Sequence, residues 1–374
     1  MYPQSIRKKI EEIIKNGEEA QPSRFLETAL KGLSLLYGGI VRLRVLLYRC
    51  GLFPTYKLPC VVISVGNLTV GGVGKTPLVI YIVDLLRGLG YNVAALSRGY
   101  KGKMYKTGGV VSDGERLCMD PVAAGDEPYL IAEKIKNVPV LVGKNRFKMG
   151  KTACRQFSSE VLVLDDGFQH VQLERDIDLL LLDGTNPFGN GYCIPRGPLR
   201  EPVAARKRAD AVVLTRSERE DGPAPHAFRK RIDAGITPTF YCSHVPDRLF
   251  LAGTGNVLEL DALVGKRLFA FSGIARNDSF RKMITDLGGA LEGYLEFPDH
   301  HPYSEADLRF IWKKAGNLGV DNLITTEKDS VRIGSDWLEA PNLLVLSIAI
   351  FFGSDKEAFD AYVTDRVSKL TGTG

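Results

Sequence analysis

An α/β fold is what the sequence predicts: a parallel-sheet core, preceded by an amphipathic helix and followed by a second, smaller α/β domain. Three observations carry that prediction. From Pro59 onward, short β-branched runs alternate with helical stretches, the pattern of βαβ units. The first of those runs, Val61 to Val65, leads straight into a glycine-rich turn and a helix start. The 374 residues also exceed one ordinary core of about 100–150, so two domains and an appendage are expected. The divisions expected are 1–58 for a helical N-terminal segment, 59–235 for the core and 236–374 for the C-terminal lobe.

The N-terminal segment opens with Met1 to Ala20, where Lys and Arg alternate with Glu and no signal-peptide run occurs; it reads as a solvated helix. Residues Phe25 to Phe53 then place Phe25, Leu26, Ala29, Leu30, Leu33, Leu36, Ile40, Leu43 and Leu47 at helical spacing. Between Thr28 and Cys60 the charges are Lys31, Arg42, Arg44, Arg49 and Lys57, with no acidic residue. The longest uncharged run there, Gly32 to Val41, is ten residues, whereas a bilayer span needs about 20. A basic amphipathic helix of this kind lies in a headgroup region, the alternative being a helix packed on the protein's own core.

Composition is that of a soluble globular protein, with a formal net charge of +5. The six cysteines form no C-x-x-C pair and share no spacing with histidines, which argues against a disulfide framework or a zinc site and for a reduced, cytoplasmic compartment. Basic residues interleave with aliphatic ones and no reader motif occurs, so a nucleic-acid partner is not expected. No obligate protein partner is inferred.

In the core, strands are expected at Val61 to Val65, Val93 to Ser97, Val138 to Val142, Val161 to Asp165, Ile177 to Asp183 and Ala211 to Thr215. Helices are expected at Lys75 to Leu89, Asp126 to Lys136 and Asn145 to Phe157. After the first strand comes Gly71-Gly72-Val73-Gly74-Lys75-Thr76, a phosphate-binding loop in the strand–turn–helix context that gives it meaning. Backbone N–H groups and the helix dipole would face the phosphates of ATP, Lys75 would neutralise β/γ-phosphate charge, and Thr76 would ligate Mg²⁺. The core is therefore expected to be P-loop NTPase-like. Val161-Leu162-Val163-Leu164-Asp165-Asp166 is an apolar strand ending in two carboxylates, as expected where an Asp holds Mg²⁺.

A resemblance emerges from six motifs taken together. Ser64-Val65-Gly66-Asn67-Leu68-Thr69, Gly71-Gly72-Val73-Gly74-Lys75-Thr76-Pro77, Ser97-Arg98-Gly99-Tyr100, Gly125-Asp126-Glu127-Pro128, Asp165-Asp166-Gly167-Phe168-Gln169-His170 and Gly197-Pro198-Leu199-Arg200-Glu201 resemble those of the tetraacyldisaccharide 4'-kinases of lipid A biosynthesis. The resemblance runs from about Leu33 to near the C-terminus and is thinner beyond Thr215. It implies ATP-dependent phosphorylation of the 4'-hydroxyl of an acylated disaccharide lipid, at the cytoplasmic face of a bacterial inner membrane. It also implies substrate contacts for Tyr100, Arg146, Gln169 and His170, and a metal role for Asp166 and Glu201 beside Thr76 and Asp165.

Phosphoryl transfer to a sugar hydroxyl needs a carboxylate to accept the proton and cations for the developing charge. Asp126, at a helix start after Gly125, suits the first role, and as a plain N-cap it would suit a structural one. Arg146 and Arg200 sit in polar loop contexts and suit bidentate phosphate contact, with surface ion pairing as the commoner fate of an arginine. His300 and His301 lie far along the chain in Phe297-Pro298-Asp299-His300-His301-Pro302-Tyr303, and one of them, His301 by preference, is expected to pair with Asp126. Thr325-Thr326-Glu327-Lys328-Asp329 reads as a structural turn after a strand. The polar stretch Glu218 to Pro225 is expected to bound the core. C-terminal strands are expected at Arg267 to Phe271, Tyr294 to Phe297, Asn322 to Thr326 and Leu343 to Ile348.

The rival reading is a membrane-associated switch ATPase, whose loop carries a lysine immediately before the two glycines. Here that position is Val70, which counts against it.

Overall fold

The computed structural model describes residues 24–216, 238–334, 337 and 342–372. The solvated helix expected over Met1 to Ala20 and the polar boundary at Glu218 to Pro225 lie outside the described residues. Contacts gather the chain into two compact units: Met1–Leu96 with Asn145–Ser243 and Phe351–Gly374, and Ser97–Lys144 with His244–Ile350. In this grouping 97–144 goes with 244–350, and the last residues return to the first unit.

In chain order the first strands are β1 (Val61–Asn67), β2 (Val93–Ser97), β3 (Gly109–Ser112), β4 (Val140–Val142), β5 (Val161–Asp165), β6 (Ile177–Asp183), β7 (Ala211–Thr215) and β8 (Thr239–Leu251). They are followed by β9 (Val257–Leu258), β10 (Arg267–Ser272), β11 (Ala290–Glu296), β12 (Asn322–Thr326) and β13 (Leu343–Phe351).

The first unit is a parallel sheet in the order β8-β7-β6-β1-β5-β2. Every residue of β1, β2, β5, β6 and β7 is buried, which is why these strands read as continuous apolar runs rather than alternating ones. Parallel strands end on one edge, so Asn67, Asp165, Asp183 and Thr215 all close the same side of the sheet. The Lys75–Gly88 helix buries Leu78, Val79, Ile82, Val83 and Leu86, an i, i+1, i+4 stripe, and so holds its N-terminus at the end of β1. Gly66 is required at the exit of β1: a Cβ there would meet Phe168 Cβ at 2.5 Å and the Phe168 backbone N at 2.7 Å. A helix at Lys356–Thr371, which the sequence reading did not anticipate, completes this unit, with Tyr81 donating to Asp360 Oδ1 at 2.7 Å.

The Arg24–Arg49 helix buries only Leu30, Ser34 and Gly38. Gly38 brings it against the 193–202 segment, where a Cβ would lie 3.5 Å from Pro202, and the Tyr37 hydroxyl donates to the Arg200 carbonyl at 3.1 Å. Leu30 apart, small residues therefore face the protein, and most of the large apolar ones do not: Phe25 is 85% exposed, and Leu33, Leu35, Leu36, Ile40, Leu43 and Leu46 are each more than half exposed. Most of the stripe that would have covered the core in the alternative reading is turned outward. Among the described residues no helix is long and apolar enough to cross a membrane.

In the second unit β11-β10-β12-β13 run parallel, the second half of β8 borders β13, and β9 pairs antiparallel with β8. β3 and β4 form an antiparallel pair. Phe269, Phe271, Leu308, Ile311 and Leu323 fill one cluster, and Leu249, Leu268, Ala270, Ile284 and Leu344 another. The Glu305–Asn317 helix starts on a capping box, Ser304 with Asp307. β3, β8 and β9 were not anticipated. β8 carries His244, Pro246, Asp247 and Arg248 and is mostly half-buried, so it presents neither an apolar run nor a clean alternation.

Candidate active site

The phosphate-binding loop takes the form its glycines allow. Gly71 and Gly74 have φ of 112° and 89°, values costly for a residue with a Cβ, and Gly74 directly precedes the helix that Lys75 and Thr76 begin. Gly72 accepts a hydrogen bond from Arg216 Nη2 at 3.3 Å through its carbonyl, and Val73 is buried. Lys75 Nζ lies 3.3 Å from Asn67 Oδ1 and 3.4 Å from Asp166 Oδ1. Asn67, whose part the sequence reading missed, also donates to the Thr69 carbonyl at 2.8 Å, and its own carbonyl receives Gln169 Nε2 at 2.8 Å. Asn67 therefore ties the loop and the lysine through its side-chain amide and Gln169 through its backbone carbonyl.

Asp165 closes β5 opposite Val65 and is 1% exposed. Asp166 follows with a left-handed backbone, φ 56°, and meets Arg200 Nη1 with both carboxylate oxygens at 2.9 Å. Burial pushes the Asp166 carboxyl up, but the Lys75 and Arg200 charges and their hydrogen bonds outweigh it and hold the group well below the usual carboxylate range. Glu201 is buried and gripped by Arg208, whose Nη1 and Nη2 donate to its two oxygens at 2.7 and 3.0 Å. Arg146 corrects its expected polar-loop setting. It opens the Arg146–Gln156 helix, which Asn145 caps; the residue is 2% exposed, and its guanidinium donates to the Asp165 carbonyl at 3.2 Å. His170 is half-buried in the turn after Gly167, with its backbone N–H on the Gly167 carbonyl at 2.8 Å.

Asp126 begins the Asp126–Lys134 helix of the second unit and is buried. The histidine beside it is His300, not His301: His300 Nδ1 lies 2.7 Å from Asp126 Oδ2. His301 instead lies 3.1 Å from Asp307 Oδ2 and stacks on Phe297 at 4.6 Å. The reason is local backbone. His300 takes φ 60° with its N–H on the Gly273 carbonyl, a turn that separates the directions of the two adjacent side chains. Lys101 Nζ donates to the His300 carbonyl at 3.1 Å, and Tyr100 meets the imidazole edge-on at 5.9 Å. Arg332 Nε donates to Asp126 Oδ2 at 2.8 Å, and Lys328 Nζ lies 3.4 Å from His300 Nε2. Burial pushes the Asp126 carboxyl up, yet the His300 hydrogen bond and the Arg332 and Lys328 charges prevail and keep it well below the usual range. Arg332 and Lys328 were not singled out from the sequence. Lys328 lies in the Thr325-Thr326-Glu327-Lys328-Asp329 motif, read there as a turn, and Arg332 lies just beyond it.

A loop of this kind on the central strand of a parallel sheet, with a lysine and carboxylates at the strand ends, defines a P-loop phosphotransferase. Residues 26–368 match the family described as tetraacyldisaccharide-1-P 4'-kinase. The tetraacyldisaccharide 4'-kinase of Desulfatibacillum aliphaticivorans is 43% identical over 93% of this chain and 95% of its own length. That of Syntrophus aciditrophicus is 43% identical over 81% and 83%. A crystal structure of LpxK from Aquifex aeolicus in complex with ATP superposes with a TM-score of 0.73 at 34% identity, covering 91% of this chain and 99% of that one. The chain belongs to the tetraacyldisaccharide 4'-kinase family and is an ATP-dependent kinase of lipid A biosynthesis, which sets aside the switch ATPase.

Proposed function

We propose that the chain transfers the γ-phosphoryl group of ATP to the 4'-hydroxyl of a tetraacylated disaccharide 1-phosphate, with Asp126 accepting the hydroxyl proton, at the cytoplasmic face of the inner membrane. The observation that carries the role of Asp126 is the use of its two oxygens. Oδ2 takes the contacts with His300 and Arg332, which leaves Oδ1 for the hydroxyl of the sugar. Lys75 offsets charge on the phosphates bound at Gly71 to Gly74, and Arg200, held on Asp166, supplies a second cation to that edge. Thr76 and Asp165 are hard oxygen donors at the ends of neighbouring elements, the donor set Mg²⁺ prefers; they are the residues that would hold it, with Asp166 and Glu201 engaged by cations beside them. Bound there, the ion neutralises phosphate charge. Tyr100, Gln169 and His170 are assigned to the acceptor sugar and its surroundings, and Arg146 acts by holding the backbone of Asp165.

The test is transfer of label. With γ-labelled ATP, Mg²⁺ and detergent-dispersed disaccharide lipid, label is expected on the lipid; release of free phosphate that does not depend on the lipid would overturn the reading.

The outward apolar face of the Arg24–Arg49 helix, edged by Lys31, Arg42, Arg44 and Arg49, supports attachment to an anionic membrane surface. Placing two carboxylates on that face, Leu36→Glu with Ile40→Glu, is expected to weaken co-sedimentation with anionic vesicles by at least about tenfold, given about 1.5–3 kcal/mol for each buried aliphatic side chain. Turnover on detergent-dispersed substrate should hold. Unaltered vesicle binding would count against the attachment.

A further inference from the structure

Arg332 lies beyond every motif that carries the family resemblance, yet it makes the densest set of contacts around Asp126. Its side chain is 8% exposed, and Nε and Nη2 both donate to Asp126 Oδ2, at 2.8 and 2.5 Å. Nη1 turns the other way and donates to the Gly273 carbonyl and to Asp329 Oδ1, each at 3.0 Å. Asp329 is itself immobilised. Its Oδ1 accepts from the Gly273 N–H at 3.0 Å and the Tyr303 hydroxyl at 3.1 Å, and its Oδ2 accepts from the Thr326 hydroxyl at 2.6 Å. The guanidinium is thus seated on the segments that directly follow β10 and β12.

The manner of contact separates two roles. An arginine placed only to neutralise a buried carboxylate does so best fork to fork, one nitrogen on each oxygen. Arg208 meets Glu201 in this way, with Nη1 and Nη2 on its two oxygens, and Arg200 bridges both oxygens of Asp166 with Nη1 alone. Arg332 instead directs two nitrogens to the one oxygen that His300 also contacts. We propose that Arg332 is the positioning residue of Asp126: it clamps Oδ2 and fixes the carboxylate plane so that Oδ1 is presented to the acceptor hydroxyl. The proposal rests on the reading of Asp126 as proton acceptor.

The groups facing Asp126 are the Arg332 and Lys328 cations and the His300 imidazole. Each is in turn met by a carboxylate: Asp329 on Arg332, Glu127 on Lys328 at 3.0 Å, and Asp299 3.9 Å from His300. Removing Arg332 takes away a cation that holds the Asp126 carboxyl low, so the carboxyl titrates higher. Activity needs the carboxylate, so the limb on which kcat falls with decreasing pH moves to higher pH.

The test compares full-length wild type with Arg332→Gln, Arg332→Lys and Asp126→Asn, measuring kcat and KM against pH, ATP binding and thermal unfolding. In Arg332→Gln, kcat is expected to fall about 10- to 100-fold, less than the loss in Asp126→Asn, with the KM for ATP within about twofold and the acid limb raised by about one pH unit. Arg332→Lys restores the charge but not the fork, so its acid limb should return while kcat stays low. An unmoved limb and unchanged kcat in Arg332→Gln, with Asp126→Asn inactive, overturn the positioning role alone. Loss of ATP binding or of melting temperature in step with kcat, with the limb of either Arg332 variant unmoved, marks Arg332 as structural and likewise overturns it. Full turnover in Asp126→Asn overturns the role of Asp126 and this proposal with it.

Discussion

Lys75→Ala is expected to lower kcat by about 10²- to 10³-fold, the scale of removing one preorganised donor from developing charge, and to weaken ATP binding as well. The reasoning starts from the short reach of the helix start. Lys75 is the first residue of its helix, so its ammonium extends back along the end of β1, where Asn67 Oδ1 at 3.3 Å and Asp166 at 3.4 Å hold it. The loop glycines carry no charge, Arg200 already serves Asp166 and Arg216 serves Asp183, so neither arginine replaces the lysine. Lys75→Arg should recover little, since a guanidinium on this stem cannot occupy the same compact position. The fold should survive, because the helix is held by Leu78, Ile82 and Leu86, so melting within a few degrees of wild type is the control. Steady-state kinetics on detergent-dispersed lipid give the answer; a kcat within about threefold of wild type would remove Lys75 from the chemistry.

Much of the first unit was legible because its physics is local. Strands buried on both faces must be apolar throughout, and a loop that brings backbone N–H groups to phosphate must be rich in glycine; both leave marks within about ten residues of sequence. The strands Val93 to Ser97, Val161 to Asp165, Ile177 to Asp183 and Ala211 to Thr215 were expected at the bounds they take. β8 failed that test because half-burial allows His244, Asp247 and Arg248 in a strand. The final helix was equally obscure, burying only Phe359, Val363 and Val367 among charged neighbours.

The site was legible by residue type and not by pairing. Asp126 was marked by its helix start, but the choice between His300 and His301 turns on one left-handed backbone angle that no side-chain pattern encodes. Arg146 looked like a loop cation because Lys144 and Asn145 flank it; Asn145 instead caps a helix and Arg146 is buried beneath it. Arg332 gave no signal of its own, and Asp329 lay in a motif read as a turn. They matter through contacts with Gly273 and Asp126, from segments more than fifty positions away, which only the fold brings together.

Asp126→Asn should have two separable effects. The first is on turnover: an amide oxygen is a poor proton acceptor, so kcat should drop by about 10²- to 10⁴-fold while ATP binding, which rests on the loop at Gly71 to Gly74, is retained. The second is on stability and carries a sign. The Asp126 carboxyl is held well below the usual range in the folded protein, whereas in the unfolded chain it titrates near about 3.9. Its charged form therefore stabilises the fold above about pH 4, and that contribution fades as pH falls toward the folded value. Asn cannot supply it, and takes from Arg332 the carboxylate that its Nε and Nη2 meet; breaking a buried pair on one side costs about 3–5 kcal/mol, less here because the amide oxygen still accepts a hydrogen bond. The difference in urea unfolding between wild type and variant should then be largest at pH 7 and shrink on acidification below about pH 4. A stability gap that stays constant with pH would mean that the cations around Asp126 do not depend on its charge, and an unchanged kcat would remove it from proton transfer.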